Sequence, residues 1–259
     1  MTNVPSILES FRLDQKIALV TGSSSGIGLA VAVALAQAGA TVACHGNSHP
    51  AESTAQAIRD AGGSASAFSA DLSTTAGAGQ LFDAVIAAYG DVDILINNAG
   101  IILRHEAIDY PFEDWQKVMQ VNLNSVFQLS QLVGRALIAR SSPGKIVNIA
   151  SLLSFQGGIR VPAYAASKGG VAQLTKALAN EWASKGIQVN AIAPGYIATD
   201  NTTALRSDET RNRQILERIP AGRWGQPSDI AATAVFLSSP AADYITGAIL
   251  NVDGGWLAR

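Results

Sequence analysis

The sequence predicts a doubly wound α/β fold, in which helices cover both faces of a parallel sheet. Short apolar segments alternate with longer segments of helical periodicity along most of the 259 residues. The apolar segments are nearly continuous in hydrophobic residues, which is typical of strands buried on both faces. A chain of this length can bury a large core, and no Pro/Ser/Gly-rich linker divides it. We therefore expect a single domain over 1–259.

The pattern predicts seven strands and six longer helices. The strands cover 16–22, 41–46, 64–72, 93–100, 145–151, 188–195 and 248–254. The helices cover 26–38, 51–61, 75–89, 112–140, 162–185 and 228–238. Residues 196–224 interrupt this alternation, and they carry five arginines beside a sparse apolar face. Because they follow the sixth strand at the carboxyl edge of the sheet, we expect a small helical lid over a substrate, with a solvated loop as the alternative.

Composition and charge exclude several classes of function. The net charge of -2 at pH 7 argues against binding driven by nucleic-acid phosphates or by an anionic membrane. The single cysteine, Cys44, excludes an intrachain disulfide and a cysteine-rich zinc site, and we expect no metal. No apolar run approaches the roughly 18 residues of a membrane span, and residues 1–16 show no secretory signal. We expect a cytoplasmic protein that acts on a small molecule.

A glycine-rich loop at 21–28, TGSSSGIG, follows the first predicted strand and opens the first helix. Gly22 permits the tight turn, Gly26 lets the backbone approach a pyrophosphate, and Gly28 lets helix and strand pack closely. The helix N-terminus presents free N–H groups to the anion. A tight turn without a ligand is the alternative reading. We expect a dinucleotide site formed by Gly22, Ser24, Ser25, Gly26, Ile27 and Gly28.

The end of the second predicted strand normally carries the residue that contacts the adenosine ribose. An acid at this point accepts hydrogen bonds from the ribose hydroxyls and disfavours a 2′-phosphate. Here the stretch 44–48, CHGNS, contains neither an acid nor an arginine. Asn47 and Ser48 are able to donate to a phosphate, and His45 is able to help if it lies close, although a strand-end histidine without a role is the more frequent case. The choice between NAD and NADP therefore stays open.

Tyr164 and Lys168 are four residues apart at the start of a predicted helix, so both project from one face. A phenol has an ordinary pKa near 10, and a nearby ammonium is expected to lower it. Such a pair exchanges a proton with an alcohol or carbonyl while a nicotinamide carries the hydride. Ser151 ends the fifth predicted strand, where its hydroxyl is able to hydrogen-bond the same substrate oxygen. The Tyr-x-x-x-Lys spacing alone is common by chance.

Together these motifs resemble the short-chain dehydrogenase/reductase family. The resemblance spans essentially the whole chain, and the motifs occur in the family's order and separations. It implies a Rossmann fold with a seven-stranded parallel sheet, strand order 3-2-1-4-5-6-7, and usually a homotetramer. The motifs are the loop 21–28, Asn97-Asn98-Ala99-Gly100, Ser151, Tyr164-Ala165-Ala166-Ser167-Lys168 and Pro194-Gly195.

The same resemblance implies the roles of individual residues. Tyr164 is the acid/base, Lys168 binds the nicotinamide ribose and lowers the tyrosine pKa, and Ser151 orients the substrate oxygen. Asn122 matches the asparagine that supports a proton relay through water to the lysine. Asp71 and Leu72 are expected at the adenine ring. The remaining cofactor contacts implied are Asn98, Ala99, Gly100, Pro194, Gly195, Ile197 and Thr199.

Within the family, four stretches resemble the 2-dehydro-3-deoxy-D-gluconate 5-dehydrogenases, which interconvert an alcohol and a ketone at C5 of a sugar acid. The stretches are 151–163, 190–200, 218–225 and 252–259. A guanidinium binds a carboxylate with paired hydrogen bonds, so Arg104 and Arg160 are candidates for the substrate carboxylate. A surface or interface salt bridge is the alternative for each arginine. Gln156 and Ser154 are candidates for the sugar hydroxyls, beside Ser151 at the substrate oxygen.

Three other functions remain open from the sequence. The first is a dehydrogenase of gluconate or another polyol or sugar acid. The second is a 3-oxoacyl-carrier-protein reductase, although the overall charge offers little support for an acidic carrier. The third is a nucleotide-binding regulator without turnover, against which the intact set of Asn122, Ser151, Tyr164 and Lys168 argues.

Overall fold

The computed structural model describes residues 6–259, and residues 1–5, part of the stretch searched for a secretory signal, lie outside the described residues. Within 6–259, seven parallel strands form one sheet in the order β3-β2-β1-β4-β5-β6-β7, which confirms the predicted fold class and order. The strands are β1 (Ile17–Val20), β2 (Thr41–Gly46), β3 (Ser64–Ser69), β4 (Ile94–Asn97), β5 (Gly144–Ile149), β6 (Ile187–Pro194) and β7 (Ile249–Val252).

The helices agree with the predicted ones to within a few residues, with one local difference. They are α1 (Gly26–Gln37), α2 (Glu52–Asp60), α3 (Gly77–Tyr89), α4 (Phe112–Met119), α5 (Ser125–Ala139), α6 (Pro162–Trp182), α7 (Thr203–Ser207), α8 (Glu209–Arg218) and α9 (Pro227–Ser238). The helix predicted over 112–140 is α4 and α5 joined by a π-helical turn, Gln120–Asn124. A π turn adds only one residue to the helical repeat, so the hydrophobic periodicity does not reveal it.

Successive residues of one strand pack into two different cores. In β1, Ala18 and Val20 pack with α1, α2 and α9, whereas Leu19 faces the opposite core with α3, α5 and α6. Burial on both faces explains why these strands are almost uninterrupted in apolar residues. Cys44 of β2 is fully buried in the first core, and burial raises the pKa of its thiol to about 11.

Residues 196–224 form a separate packing unit above the carboxyl ends of β5 and β6. This segment contains α7 and α8, and Ile215 and Ile219 are buried against Leu152 and Trp256. The turn Trp256–Ala258 near the C-terminus therefore supports α8 from one side. None of the helices within 6–259 is long and apolar enough to span a membrane.

Candidate active site

A cleft of about 1110 Å³ opens at the carboxyl edge of the sheet. Small-molecule sites are typically about 300–1,000 Å³, so this volume suits a dinucleotide together with a second small molecule. Parallel strands bring their carboxyl ends to one edge. This places the glycine loop after β1, the Asn97–Gly100 loop after β4, Ser151 after β5 and Pro194 at the end of β6 around the same space.

The glycine loop is held in place by the loop that follows β4. Gly22 has φ +62°, a left-handed conformation that glycine adopts without strain. The Asn98 side chain donates to the carbonyls of Thr21 and Gly22 at 2.9 and 2.8 Å. A Cβ at Gly28 would overlap the Gly22 carbonyl and the Asn98 amide, so only glycine permits this approach of α1 to the loop.

The N-terminus of α1 fits the phosphates of a dinucleotide. Ser25 is the N-cap residue, but its side chain makes no capping hydrogen bond, and the first turn carries no acidic residue. The first N–H groups of the helix therefore have no side-chain partner, and they face the cleft through Gly26 and Ile27. Such a helix terminus is a site for an anion.

His45 lines the cleft at the end of β2, and its ring supports the glycine loop. Its Nδ1 accepts from the Gly22 N–H at 3.2 Å, and its Nε2 lies 3.1 Å from the Ala70 carbonyl. The proton is therefore on Nε2, which donates to that carbonyl. Burial lowers the pKa of His45, so the ring is neutral. Both nitrogens are engaged, and the ring is not available to a phosphate.

Asn47 and Ser48, the other candidates at the end of β2, do line the cleft beside Asp71. The Asn47 side-chain amide donates to the Asp71 carboxylate at 3.0 Å, and the Ser48 hydroxyl lies 3.2 Å from Nδ1 of His49. Hydrogen bonds from Ser73, together with that from Asn47, lower the pKa of Asp71. Asp71, at the end of the next strand, is thus an ionised carboxylate in this part of the cleft.

Ser151, Tyr164 and Lys168 converge on the cleft from β5 and α6. The Lys168 ammonium donates to the Ile149 carbonyl at 2.6 Å and lies 5.8 Å from the centre of the Tyr164 ring. Ser154 donates to the Lys168 carbonyl at 2.7 Å, and this bond ties the turn after Ser151 to α6. The hydrogen bonds fix the spacing between the serine and the two groups on the helix.

The electrostatics of Tyr164 differ from the prediction that a neighbouring ammonium lowers its pKa. Burial raises the pKa of Tyr164, and the hydrogen bond with Ser151 and the charge of Arg104 only partly oppose this effect. Burial also lowers the pKa of Lys168 to about 8, and the charge of Lys168 is not among the influences on the pKa of Tyr164. Desolvation is therefore the largest influence on the pKa of both groups, and the helical spacing alone does not reveal it.

Asn122 lies within the π-helical turn and is fully buried. Its side-chain oxygen accepts from the Ile101 N–H at 2.8 Å, and its amide nitrogen donates to the Ile101 carbonyl at 2.9 Å. A Cβ placed on Gly100 would lie 3.4 Å from the Asn122 oxygen and 3.7 Å from Nζ of Lys168. Asn122 thus holds the loop after β4 close to the lysine, without lining the cleft itself.

The cleft brings together most of the residues singled out from the sequence. Its lining includes Gly22, Ser24, Ser25, Gly26, Ile27, Gly28, Asn47, Ser48, Asp71, Leu72, Asn98, Ala99, Gly100, Arg104, Ser151, Gln156, Tyr164, Lys168, Pro194, Gly195 and Thr199. Two predicted contacts lie elsewhere. The Ile197 side chain is buried in the core, and Arg160 pairs with Glu106 at 3.2 Å on the surface. This pair is the surface salt bridge expected as the alternative for Arg160, and the Arg160 side chain does not line the cleft.

The sequence did not single out Arg218 and Trp256 as partners. Both line the cleft, and the Arg218 guanidinium carbon lies 4.0 Å from the centre of the Trp256 ring. Arg218 and Trp256 are far apart in the sequence, so no local sequence pattern links them. The only available signal was that both belong to stretches resembling sugar-acid dehydrogenases.

The sequence as a whole is similar to known oxidoreductases. A family model described as enoyl-(acyl carrier protein) reductase matches residues 22–257. A Bacillus subtilis protein named 2-dehydro-3-deoxy-D-gluconate 5-dehydrogenase is 55% identical over 255 residues, which cover 97% of this chain and 98% of that protein. The chain belongs to the short-chain dehydrogenase/reductase family and is an oxidoreductase.

Two solved structures extend the similarity to the fold. An Agrobacterium tumefaciens protein with bound NADP is 56% identical, with a TM-score of 0.91 and coverage of 96% of this chain and 99% of that chain. A gluconate 5-dehydrogenase from Burkholderia cenocepacia, in complex with NADP and tartrate, is 41% identical, with a TM-score of 0.93 and coverage of 98% and 100%. Both similarities extend over nearly the full length of the chain.

Proposed function

We propose that the protein interconverts the C5 secondary alcohol and the ketone of a 2-dehydro-3-deoxy-D-gluconate-type sugar acid, with NAD or NADP as hydride carrier. The observation that carries this proposal is a cleft in which Ser151, Tyr164 and Lys168 face the same space as Arg104 and Arg218. Neither arginine takes part in an ion pair within residues 6–259. Arginines without an ion pair in the same cleft as an acid/base group suit an anionic substrate. The name of the B. subtilis relative supports the choice of sugar acid.

In the direction of oxidation, Tyr164 acts as phenolate and accepts the alcohol proton. Ser151, whose hydrogen bond lowers the pKa of Tyr164, holds the same substrate oxygen and stabilises the phenolate. The nicotinamide, when bound, accepts the hydride from the carbon that becomes the ketone. Lys168, tied to the Ile149 carbonyl, keeps its remaining N–H groups for the ribose and the phenol. In the reverse direction the neutral Tyr164 returns the proton to the carbonyl oxygen.

For the cofactor, we infer that the end of β2 accepts both NAD and NADP. The stretch 45–48 carries no acid that would repel a 2′-phosphate. The Asp71 carboxylate nearby is occupied by hydrogen bonds from Asn47 and Ser73. The NADP in the A. tumefaciens and B. cenocepacia structures supports the NADP half of this inference.

The decisive experiment is a panel of alcohol oxidations followed by the absorbance of the reduced nicotinamide. The panel contains 2-dehydro-3-deoxy-D-gluconate, gluconate, 2-deoxygluconate and a short 3-hydroxyacyl thioester, each with NAD and with NADP. Turnover of 2-dehydro-3-deoxy-D-gluconate above the other substrates is the expected result. A preference for gluconate would move the activity to a neighbouring sugar-acid dehydrogenase. Turnover of the thioester alone would favour a 3-oxoacyl-carrier-protein reductase, because oxidation of a 3-hydroxyacyl thioester is the reverse of that reaction.

We also infer that the protein is a cytoplasmic homotetramer in which residues 196–224 act as a lid. Large apolar side chains on α4 and α5 support self-association, since Phe112 is 67% and Phe127 is 42% exposed in the isolated chain. Arg211 and Ile215 of α8 line the cleft, which supports the lid assignment. Light scattering of the purified protein tests the subunit number, and a monomer would contradict it.

A further inference from the structure

Arg218 lies where the helical segment over the cleft meets the C-terminal turn. It is the last residue of α8, and its guanidinium carbon lies 4.0 Å from the centre of the Trp256 ring. Trp256 is 4% exposed and packs with Leu152, Ile215 and Ile219. An arginine stacked on a buried aromatic ring is held by cation–π attraction and dispersion. The orientation of its guanidinium plane is therefore set by the protein before any ligand arrives.

The edge of this guanidinium remains available on the side of the cleft. Gln156 accepts from Nη2 of Arg218 at 3.5 Å and from the Trp256 indole N–H at 3.4 Å. Both distances are long for N–H···O hydrogen bonds, so the contact with Gln156 is weak and leaves the Arg218 donors available to a ligand. A guanidinium has five N–H donors in a planar fork, and it binds a carboxylate through two parallel hydrogen bonds. Within residues 6–259, Arg218 has no carboxylate partner that would take up these donors.

We propose that Arg218 binds the C1 carboxylate of the substrate and that Trp256 is the positioning residue that orients it. This inference rests on the proposed function, because it assumes that the substrate is a sugar acid. It assigns recognition of the anion to the wall formed by α8 and the C-terminal turn. Gln156, which contacts both side chains, links this wall to the loop after Ser151.

Arg104, another cleft arginine without an ion pair among the described residues, differs from Arg218 in its relation to the catalytic tyrosine. Its charge acts on the Tyr164 phenol and lowers the pKa of that group, so it lies near the reacting oxygen. In a substrate oxidised at C5, the carboxylate is four carbon–carbon bonds from the reacting carbon. A cation beside Tyr164 suits the hydroxyls near C5, whereas the carboxylate needs a cation farther along the cleft. Arg218 lines the same cleft from the end of α8, and its charge is not among those that act on Tyr164.

The test compares the sugar acid with its C1 primary amide, which has the same carbon chain without the charge. For Arg218→Gln we expect the KM of the sugar acid to rise about 10- to 100-fold, the effect of losing hydrogen bonds to a charged group. The kcat should change little, because Tyr164, Ser151 and Lys168 are untouched. The KM of the amide should stay close to that of the unmodified enzyme. Arg218→Lys keeps the charge but loses the planar fork, so it should give an intermediate KM.

Two sets of variants act as controls. Arg213 also lies on α8, but it pairs with Glu217 and does not line the cleft, so Arg213→Gln should leave both KM values unchanged. Trp256→Phe keeps a ring under the guanidinium and should retain most of the affinity, whereas Trp256→Leu should raise the KM of the acid alone. Calorimetric titration of the sugar acid into Tyr164→Phe loaded with cofactor, with and without Arg218→Gln, measures binding without turnover.

Each outcome of this test supports or overturns the assignment. An equal rise of KM for the acid and the amide would show that Arg218 only shapes the cleft, and would overturn it. A loss specific to the carboxylate in Arg104→Gln, with Arg218→Gln unchanged, would transfer the role to Arg104. If the unmodified enzyme oxidises the sugar acid but Arg218→Gln keeps its KM, only this inference fails. If the unmodified enzyme oxidises no sugar acid, the proposed function fails and the inference with it.

Discussion

The two walls of the cleft are built in different ways. The catalytic wall, formed by β4, β5 and α6, is held by buried hydrogen bonds. In this wall Asn97 donates to Asn148 at 2.8 Å, Asn148 donates to Thr175 at 2.9 Å, and Lys168 donates to the Ile149 carbonyl at 2.6 Å. The α8 wall, formed by residues 196–224 and 256–259, carries the exposed Arg218 beside the buried Trp256. Its bonds from Arg218 and Trp256 to Gln156 are 3.5 and 3.4 Å long.

The difference suggests separate roles for the two walls, proton transfer for one and substrate recognition for the other. Proton transfer requires Tyr164 and Ser151 to be placed accurately, and a buried network supplies that accuracy. Substrate recognition requires only that charge and shape match, and exposed side chains on a loop-rich segment supply it. Substitutions in the catalytic wall should therefore reduce turnover or stability. Substitutions on the outer surface, away from the cleft, should change both quantities little.

The largest effect is expected for Tyr164→Phe, which removes the acid/base group and keeps the ring. General acid–base catalysis contributes about 10²- to 10⁴-fold, so kcat should fall by that factor while cofactor binding persists. Steady-state kinetics and a cofactor titration measure the two quantities. Tyr244→Phe, at a fully exposed position, is the matched control. Activity that survived Tyr164→Phe would remove the phenol from the mechanism.

The next effect is expected for Ser151→Ala. The Ser151 hydrogen bond lowers the pKa of Tyr164, so its loss should raise that pKa further. Oxidation needs the phenolate, and the rising limb of the kcat/KM profile should therefore move to higher pH. The loss of a hydrogen bond to a charged group predicts a kcat lower by about 10- to 100-fold. A profile that stayed in place, or moved to lower pH, would contradict this coupling of the two hydroxyls.

A smaller effect is expected on stability, and its sign differs between substitutions at two glycines. A Cβ at Gly28 would overlap the Gly22 carbonyl, so Gly28→Ala should lower the free energy of unfolding by about 1–3 kcal/mol and weaken cofactor binding. A Cβ at Gly79, on α3, would meet nothing within 4 Å, so Gly79→Ala should raise it by about 0.5–1 kcal/mol. Urea unfolding measures both. Equal effects of the same sign would contradict the packing of α1 on the glycine loop.

The smallest effect is expected for Arg160→Gln on the outer surface. Arg160 and Glu106 form an exposed ion pair at 3.2 Å, and such pairs contribute about 0–1 kcal/mol. Stability and the KM of the sugar acid should both stay close to those of the unmodified protein. A large rise in KM would return Arg160 to the group of substrate-binding residues and weaken the distinction between the walls.

The catalytic wall and the fold could be predicted because their signals are local in sequence. Strands buried on both faces are uninterrupted in apolar residues, and the Tyr164–Lys168 spacing places two groups on one helix face. The glycine loop is recognisable because Gly22, Gly26 and Gly28 have the spacing of a tight turn that opens a helix. Each of these features depends on neighbours within a few positions, so one sequence is enough to read them.

The features that were missed depend on contacts between distant segments. His45 supports Gly22 through its ring, and Arg218 stacks on Trp256, but no periodicity links either pair. The π-helical turn that holds Asn122 leaves the hydrophobic pattern of its helix unchanged. The raised pKa of Tyr164 follows from burial, which a spacing of four residues does not report. From the sequence, Arg104 and Arg160 are equal candidates, because the first follows the loop 97–100 and the second lies between Ser151 and Tyr164.

The burial of Cys44 makes this protein well suited to fluorescence studies of α8. Its thiol is the single one in the chain, is fully enclosed in the core and has a pKa of about 11, so maleimide dyes should leave the native protein unlabelled. A cysteine introduced at Arg213, exposed on α8, would then be the one reactive position. A dye at that position would report whether α8 moves when cofactor and sugar acid are added, without removal of any natural residue from the core.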